Sequence, residues 1–271
     1  MSVTAALDLT FSLVGGRTVL TRRRYRWPLL IGRVFTDPAQ PSLGSVTVQN
    51  AAGTVIPGDL VSQRIGVVAG GYAAVRGQGA TMVTGVPGGE VAVEDTDVRV
   101  DETSRLLLDP APRILTPYAH YRQRMHVCVA PGGCAVLVDA VVLHPELTDQ
   151  QFGSYESGVE ITAVDGTRLA LDAQVLDAMP RVRRAPMAFA TVYVVGAGLD
   201  IAMTALSPEL ESLSVLTGRR VYVGVSDLPN GAGWAVRIAA SDGGVLRSAI
   251  SAVQAALQVL RTEKPMLSAP G

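Results

Sequence analysis

GSVTVQNAAGTVIPGD, residues 44–59, sets the pattern that most of the chain follows. Gly44 to Asn50 is a short run rich in valine and threonine, the composition of a strand. Asn50 to Gly53 and Pro57-Gly58-Asp59 then supply turn chemistry. The same grammar recurs on either side. Glu90 to Asp95 and Val127 to Ala130 read as strands, and Pro87-Gly88-Gly89, Pro131-Gly132-Gly133 and Asp165-Gly166 as turns. Proline at these intervals would break helices from Leu7 to about Tyr193. Many short strands joined by tight turns predict layered antiparallel sheets, with some longer connections.

Two segments near the C-terminus have a different period. Leu206, Leu210, Leu213 and Leu216 share one helix face, with Ser207-Pro208-Glu209 as a start signal and Gly218 as a stop. Leu246, Ile250, Val253, Leu257 and Leu260 form a second such face, after a capping Asp242 and before Pro265. Between them, Arg220 to Val225 and Trp234 to Ile238 read as one more strand pair. The expected fold is mainly β, with layered antiparallel sheets and two α-helices near the C-terminus. No internal repeat, low-complexity tract or linker interrupts it, so residues 1–271 are expected to form a single domain, with 266–271 a frayed tail.

The bulk composition narrows the function. Of 271 residues, 48% are hydrophobic and 17% charged, enough to bury a sizeable core. A formal net charge of -1 argues against a nucleic-acid partner. The one basic run, Arg22-Arg23-Arg24-Tyr25-Arg26, reads as a solvated strand end rather than a phosphate site. Cys128 and Cys134 are the two cysteines, and Met1 to Leu20 lacks the pattern of a secretory leader, so a reducing cytoplasm is expected. The longest uncharged stretch, Ala185 to Leu199, is too short and too broken to span a bilayer, so no membrane role is expected.

Motifs for chemistry are few. Gly196-x-Gly198 follows a strand, but Ile201 stands where a dinucleotide fingerprint needs its third glycine. The chain has no P-loop and a single lysine, Lys264, so any nucleotide-driven step belongs to another protein. No G-x-S-x-G elbow is present. His120, His126, Cys128, Cys134 and His144 cluster in sequence, but His126 and Cys128 on one strand would share a face, and nothing has closed metal-site spacing. Asp59 lies in a Pro-Gly-Asp turn and reads first as a backbone-bonding turn residue. Asp139 interrupts the apolar run Cys134 to Leu143. Buried and unpaired it would cost several kcal/mol, so a partner, either arginine or backbone, or a wet cavity, is expected beside it.

The order of these segments resembles the UreD (UreH) family of urease accessory proteins. The residues that carry the likeness are Ala52-Gly-Thr-Val-Ile-Pro-Gly-Asp59, Gly77-Gln-Gly-Ala-Thr-Met82, Leu106-Leu-Leu-Asp-Pro-Ala-Pro-Arg-Ile114 and Val136-Leu-Val-Asp-Ala-Val-Val142. Leu9-x-Phe to Thr18 and Trp27-Pro-Leu29 fit the family opening, and Ala190 to Val194 and Trp234 to Ala239 its closing strands. Ala52, Pro57, Met82, Leu107 and His144-Pro145 depart from the family pattern and mark a divergent member. The resemblance implies a nonenzymatic scaffold for nickel insertion into apo-urease. It implies UreF-like and UreG-like partners together with the urease apoprotein, and no resident cofactor. Nickel would be transient cargo, conducted through an internal tunnel, for which Asp59, Gln78 and Asp139 are the candidate residues. Two other readings stand beside it. One is a β-rich adaptor or binding module unrelated to urease maturation. The other is an enzyme built on His120, His126 or His144.

Overall fold

A tight turn can close a hairpin or merely turn a corner, and in this chain most of them turn corners. The computed structural model describes residues 6–37, 40–179, 186–196 and 221–259. Strands β1 (Leu7–Val14) and β2 (Arg17–Tyr25) pair antiparallel. Strands β3 (Leu29–Ile31) and β4 (Phe35–Asp37) both pair antiparallel with β5 (Gln40–Asn50). From β5 the chain winds in circuits of three strands. The first runs through β5, β6 (Thr54–Val55) and β7 (Leu60–Val68). The second takes β8 (Tyr72–Gly77), β9 (Thr81–Val83) and β10 (Ala92–Val100). The third takes β11 (Arg105–Asp109), β12 (Arg113–Leu115) and β13 (His120–Val129). The fourth bends through β14 (Cys134–Leu143) into β15 (Ser154–Thr162).

Each strand pairs in parallel with its counterpart in the next circuit: β7 with β10, β10 with β13, and β13 with β15. The same holds for β5, β8, β11 and β14, and for the short face β6, β9, β12 and the end of β14. Leu43, Tyr72, Arg105 and Cys134 occupy one row, which sets the circuit at roughly 30 residues, a solenoid-like period. Antiparallel pairing is confined to the ends, where β16 (Arg168–Leu176) returns along β15, and β17 (Ala188–Gly196) along β14. There β18 (Val221–Asp227) and β19 (Gly233–Ala240) complete the second sheet. The expectation of layered antiparallel sheets is thus corrected. Turns such as Pro57-Gly58-Asp59 were expected to join neighbours in one sheet, but they hand the chain from one face to the next.

Among the described residues one α-helix is present, α1 (Gly243–Val259). Asp242 caps it, its carboxylate accepting the Val245 N–H at 2.9 Å. Leu246, Ala249, Ile250, Val253 and Leu257 bury the apolar face seen in the sequence against Val136, Val138, Val192, Val236 and Ile238 of the second sheet. Each large side chain so covered contributes roughly 1.5–3 kcal/mol. The helix expected over Leu206 to Leu216 lies outside the described residues. The expected strand pair around Val221 and Trp234 is β18 and β19. No helix among the described residues is long and apolar enough to cross a membrane.

The first sheet, ordered β16-β15-β13-β10-β7-β1-β2, faces solvent on its outer side. Asp8, Arg64, Asp97, His126 and Glu160 form one outward row across five strands. Signs alternate over Asp8, Arg64 and Asp97, an ion pair links Arg64 to Asp97 at 3.8 Å, and His126 Nδ1 lies 3.2 Å from Glu160. A pair this exposed adds little stability. The row instead penalises slipped registers, which would set like charges side by side.

At the corner leading into the first sheet, successive circuits touch backbone to backbone. A Cβ on Gly85 would fall on the Tyr118–Ala119 peptide, and one on Gly153 on the Ala119 carbonyl. Ala119 also accepts the Ser154 N–H at 3.0 Å, fixing that spacing. Gly153→Ala should therefore cost about 2–3 kcal/mol. Gly158→Ala, whose new methyl meets nothing within 4 Å, should change stability by less than about 1 kcal/mol. Urea unfolding of the two variants checks the contrast.

Candidate functional site

The inward positions of the first sheet fall into rows, because parallel strands in register stack equivalent residues. One row is apolar: Val98, Val127, Ile161 and Ala170. Another, Ala92, Tyr121, Tyr155 and Leu176, packs in a separate apolar cluster. Between them lies a polar row, Glu94, Gln123, Ser157 and Gln174. Facing it from the second sheet is a second polar row, Asp139, Thr191 and Arg237. The interior therefore contains a polar layer between two hydrophobic cores.

Hydrogen bonds run along this layer in two groups. Tyr121 donates its hydroxyl to Glu94 and approaches Gln123 Oε1 at 3.4 Å, and Gln123 Nε2 donates to Ser157 Oγ at 3.4 Å. Ser157 donates to Asp139 Oδ2 at 2.5 Å, and Tyr155 to Asp139 Oδ1 at 3.1 Å. Further along, Gln174 Nε2 donates to Thr191 Oγ1 at 3.1 Å, Tyr193 donates to Asp172 Oδ2 at 2.7 Å, and Arg237 pairs with Asp172 at 2.9 Å. Arg237 is half exposed, so this end reaches solvent. At the opposite end Glu94 and Arg113 line a cavity of about 40 Å³ with Asn50, Gln63 and Thr81. With strands spaced about 4.8 Å apart, the four strands of the polar row span about 15 Å.

Burial dominates the electrostatics. It pushes the Asp139 carboxyl above its ordinary range, against hydrogen bonds from Ser157, Tyr155 and Gln123 and the nearby charge of Arg113. Burial likewise raises the Tyr121 and Tyr155 hydroxyls, with the carboxylates of Glu94 and Asp139 adding to the effect. Burial opposes the charge on Arg113, but Glu94 and Tyr121 outweigh it and hold the guanidinium protonated. At the wet end, burial opposes ionisation of Asp172, and Arg237 and Tyr193 overcome it, so its carboxyl lies below the ordinary range.

Of the three candidates read from the sequence, Asp139 sits in the middle of the layer, only 4% exposed. Its partners are the Ser157 and Tyr155 hydroxyls and the Gln123 side chain rather than the arginine or backbone expected. Asp59 is half-buried in its turn and accepts the Ile56 N–H at 3.0 Å, as its default reading holds. Gln78 is exposed and bonds Gln49 on the outside. The structure does not bring these two to Asp139. The histidines and cysteines also stand apart. His126 and Cys128 share the outer face of β13, His120 bonds Ser154 at 2.9 Å, and His144 accepts the Glu146 N–H at 3.3 Å. Among the described residues no three of His, Cys, Asp and Glu gather as a metal-holding set.

Glu94, Arg113, Gln123, Ser157 and Gln174 went unread. A signal for three of them was present: Glu94, Gln123 and Ser157 each stand two residues from inward neighbours, in Ala92-Val-Glu94, Tyr121-Arg-Gln123 and Tyr155-Glu-Ser157. Only the parallel register turns those three separate observations into one row.

Comparison with known proteins places the sequence in a defined family. The family model described as UreD urease accessory protein matches residues 3–269. The urease accessory protein UreD of Mycolicibacterium smegmatis is 58% identical over 243 residues, covering 90% of this chain and 86% of its own. Urease accessory protein UreD 1 of Methylorubrum populi is 32% identical over 254 residues, covering 91% and 84%. Urease accessory protein UreD 2 of a Bradyrhizobium species is 31% identical over 252 residues, covering 92% and 87%.

The raised pKa of Asp139 makes a signed prediction. Above its ordinary value near 3.8, the folded state keeps a proton that the unfolded chain has lost, so stability is greatest below that value and falls as pH rises through the folded pKa. Asp139→Asn has no proton to lose and should gain on the wild type as pH rises from about 4 towards neutrality. Unfolding midpoints of both proteins across that range test this; a constant difference would mean that Asp139 is not held protonated.

Proposed function

Because the chain belongs to the UreD family of urease accessory proteins, we propose that it is a nonenzymatic scaffold for nickel insertion into apo-urease, and that nickel crosses it along the buried polar layer. Its partners on this reading are a UreF-like protein, a UreG-like nickel-binding GTPase and the urease apoprotein, working in the cytoplasm. The two free cysteines are in keeping with that compartment. The chain itself supplies position and a path, and the relatives carry the name of an accessory protein rather than of a catalyst.

One observation carries the path: a hydrogen-bonded polar layer inside a core that apolar side chains could have filled. Buried polar networks rarely outperform well-packed apolar residues for stability, so the layer calls for a second purpose. Its donors suit cargo. Glu94, Asp139, Gln123, Ser157 and the tyrosines offer oxygen, which suits hard divalent ions and holds nickel more weakly than thiolate or paired imidazole would. A dispersed row of such ligands allows an ion to move on. The gathered cysteines and histidines of a structural site would trap it.

Asp139 is the residue on which this reading turns. Asp139→Ala should assemble normally with the UreF-like and UreG-like proteins in co-purification, yet lower nickel-dependent urease activation by about tenfold or more, the usual scale for a lost contact in a metal's environment. Asp59→Ala, which alters only a turn, should leave activation nearly intact. Full activation by the Asp139 variant would remove the layer from the path, and failure of the folded wild-type chain to join the complex would remove the scaffold role.

A further inference from the structure

Arg113 occupies a place shaped for a metal cation. Its side chain leaves β12 and enters the polar layer where the layer meets the cavity, 11% exposed against 6% for Glu94. Nε and Nη2 both donate to the Glu94 carboxylate, at 2.5 and 3.0 Å. Nε also donates to the Tyr121 hydroxyl at 3.2 Å, and Nη1 to the Ala111 carbonyl. Every partner is an oxygen: two from a carboxylate, one phenolic and one from a peptide. That donor set is the kind a divalent ion takes, and here a guanidinium supplies the positive charge in the ion's stead.

The position matters as much as the chemistry. From Glu94 the polar contacts continue through Tyr121, Gln123 and Ser157 to Asp139. A dication entering from the cavity would meet the Arg113 charge at contact distance, in a medium where such repulsion is poorly screened. With the guanidinium in place the layer is closed to it. Space for the side chain to leave exists alongside, since the cavity of about 40 Å³ has room for about three or four waters at about 10–15 Å³ each.

Building on the nickel-path reading, we infer that the oxygens of Glu94, Tyr121 and Ala111 form a divalent-cation site that Arg113 masks and must vacate before an ion enters the layer. Exchange of guanidinium for metal gives Glu94 a positive partner in both the masked and the loaded state, so neither end state leaves a bare buried carboxylate. Arg113 then selects when the path opens, and Glu94 is the first ligand an arriving ion meets.

Equilibrium dialysis of the purified full-length chain against Ni²⁺ tests this. Arg113→Gln removes the charge and leaves one donor for Glu94. It should bind one Ni²⁺ per chain at least about tenfold more tightly than wild type, and adding Glu94→Gln should abolish that gain. Arg113→Lys, which loses the forked contact but keeps a charge, should show a smaller gain and guards against misfolding of the first variant. Folded variants that bind Ni²⁺ no better than wild type would overturn the inference. Paired with the activation assay, the two ideas separate: impaired activation in Asp139→Ala without any Arg113 effect would keep the path and remove the mask. No effect in either would remove both.

Discussion

The structure depends on parallel register. When strands of successive circuits align, each inward residue is stacked on its equivalents one circuit above and below, and rows rather than single side chains become the units of the core. A lone polar residue in such a row would lie between apolar neighbours with nothing to bond. Glu94, Gln123, Ser157 and Gln174 avoid that penalty because all four strands offer a polar group at the same level. The facing row, Asp139, Thr191 and Arg237, is built by the same rule in antiparallel strands. Polar and apolar layers can then coexist in one interior without orphaned groups.

That arrangement places stability and function in tension. Burial opposes the charges on Asp139 and Arg113, and an ion pair such as Arg113–Glu94 gives at best a small net gain over packed hydrophobic residues. The cores on either side carry the fold, with Leu7, Phe11, Leu106, Leu137 and Ile161 almost wholly enclosed on one of them. Helix α1 seals the outer face of the second sheet with an apolar stripe. Such support lets the layer between remain polar, bordered by a cavity at one end and reaching solvent at the other, as a route for a charged cargo requires.

Much of the local structure was legible in the sequence. Turns at Asn50 to Gly53, Pro57 to Asp59 and Pro131 to Gly133, the β18–β19 pair, the second helix and its Asp242 cap all follow from short-range chemistry, which acts within a few residues. The handing of the chain from face to face does not. A Pro-Gly-Asp turn looks alike whether it closes a hairpin or turns a corner, and the choice is made by contacts with residues roughly 30 positions away. Asp139 stood out because a carboxylate among valines is conspicuous. Glu94, Gln123 and Ser157 did not, because each lies in a strand already rich in polar residues on its outward side. Asp59 and Gln78 were drawn in by motif likeness, and their positions at the surface follow from the corner and strand end they occupy.

The central claim is that a divalent ion enters the polar layer inside the coil. Crystals of the chain bound to its UreF-like and UreG-like partners, loaded with Ni²⁺ and measured at the nickel absorption edge, address it directly. Anomalous density is expected inside the protein beside Glu94 or Asp139, with the Arg113 guanidinium displaced from Glu94. Nickel found only on the outer face, for example at His126 and Glu160, with Arg113 still seated, would contradict it.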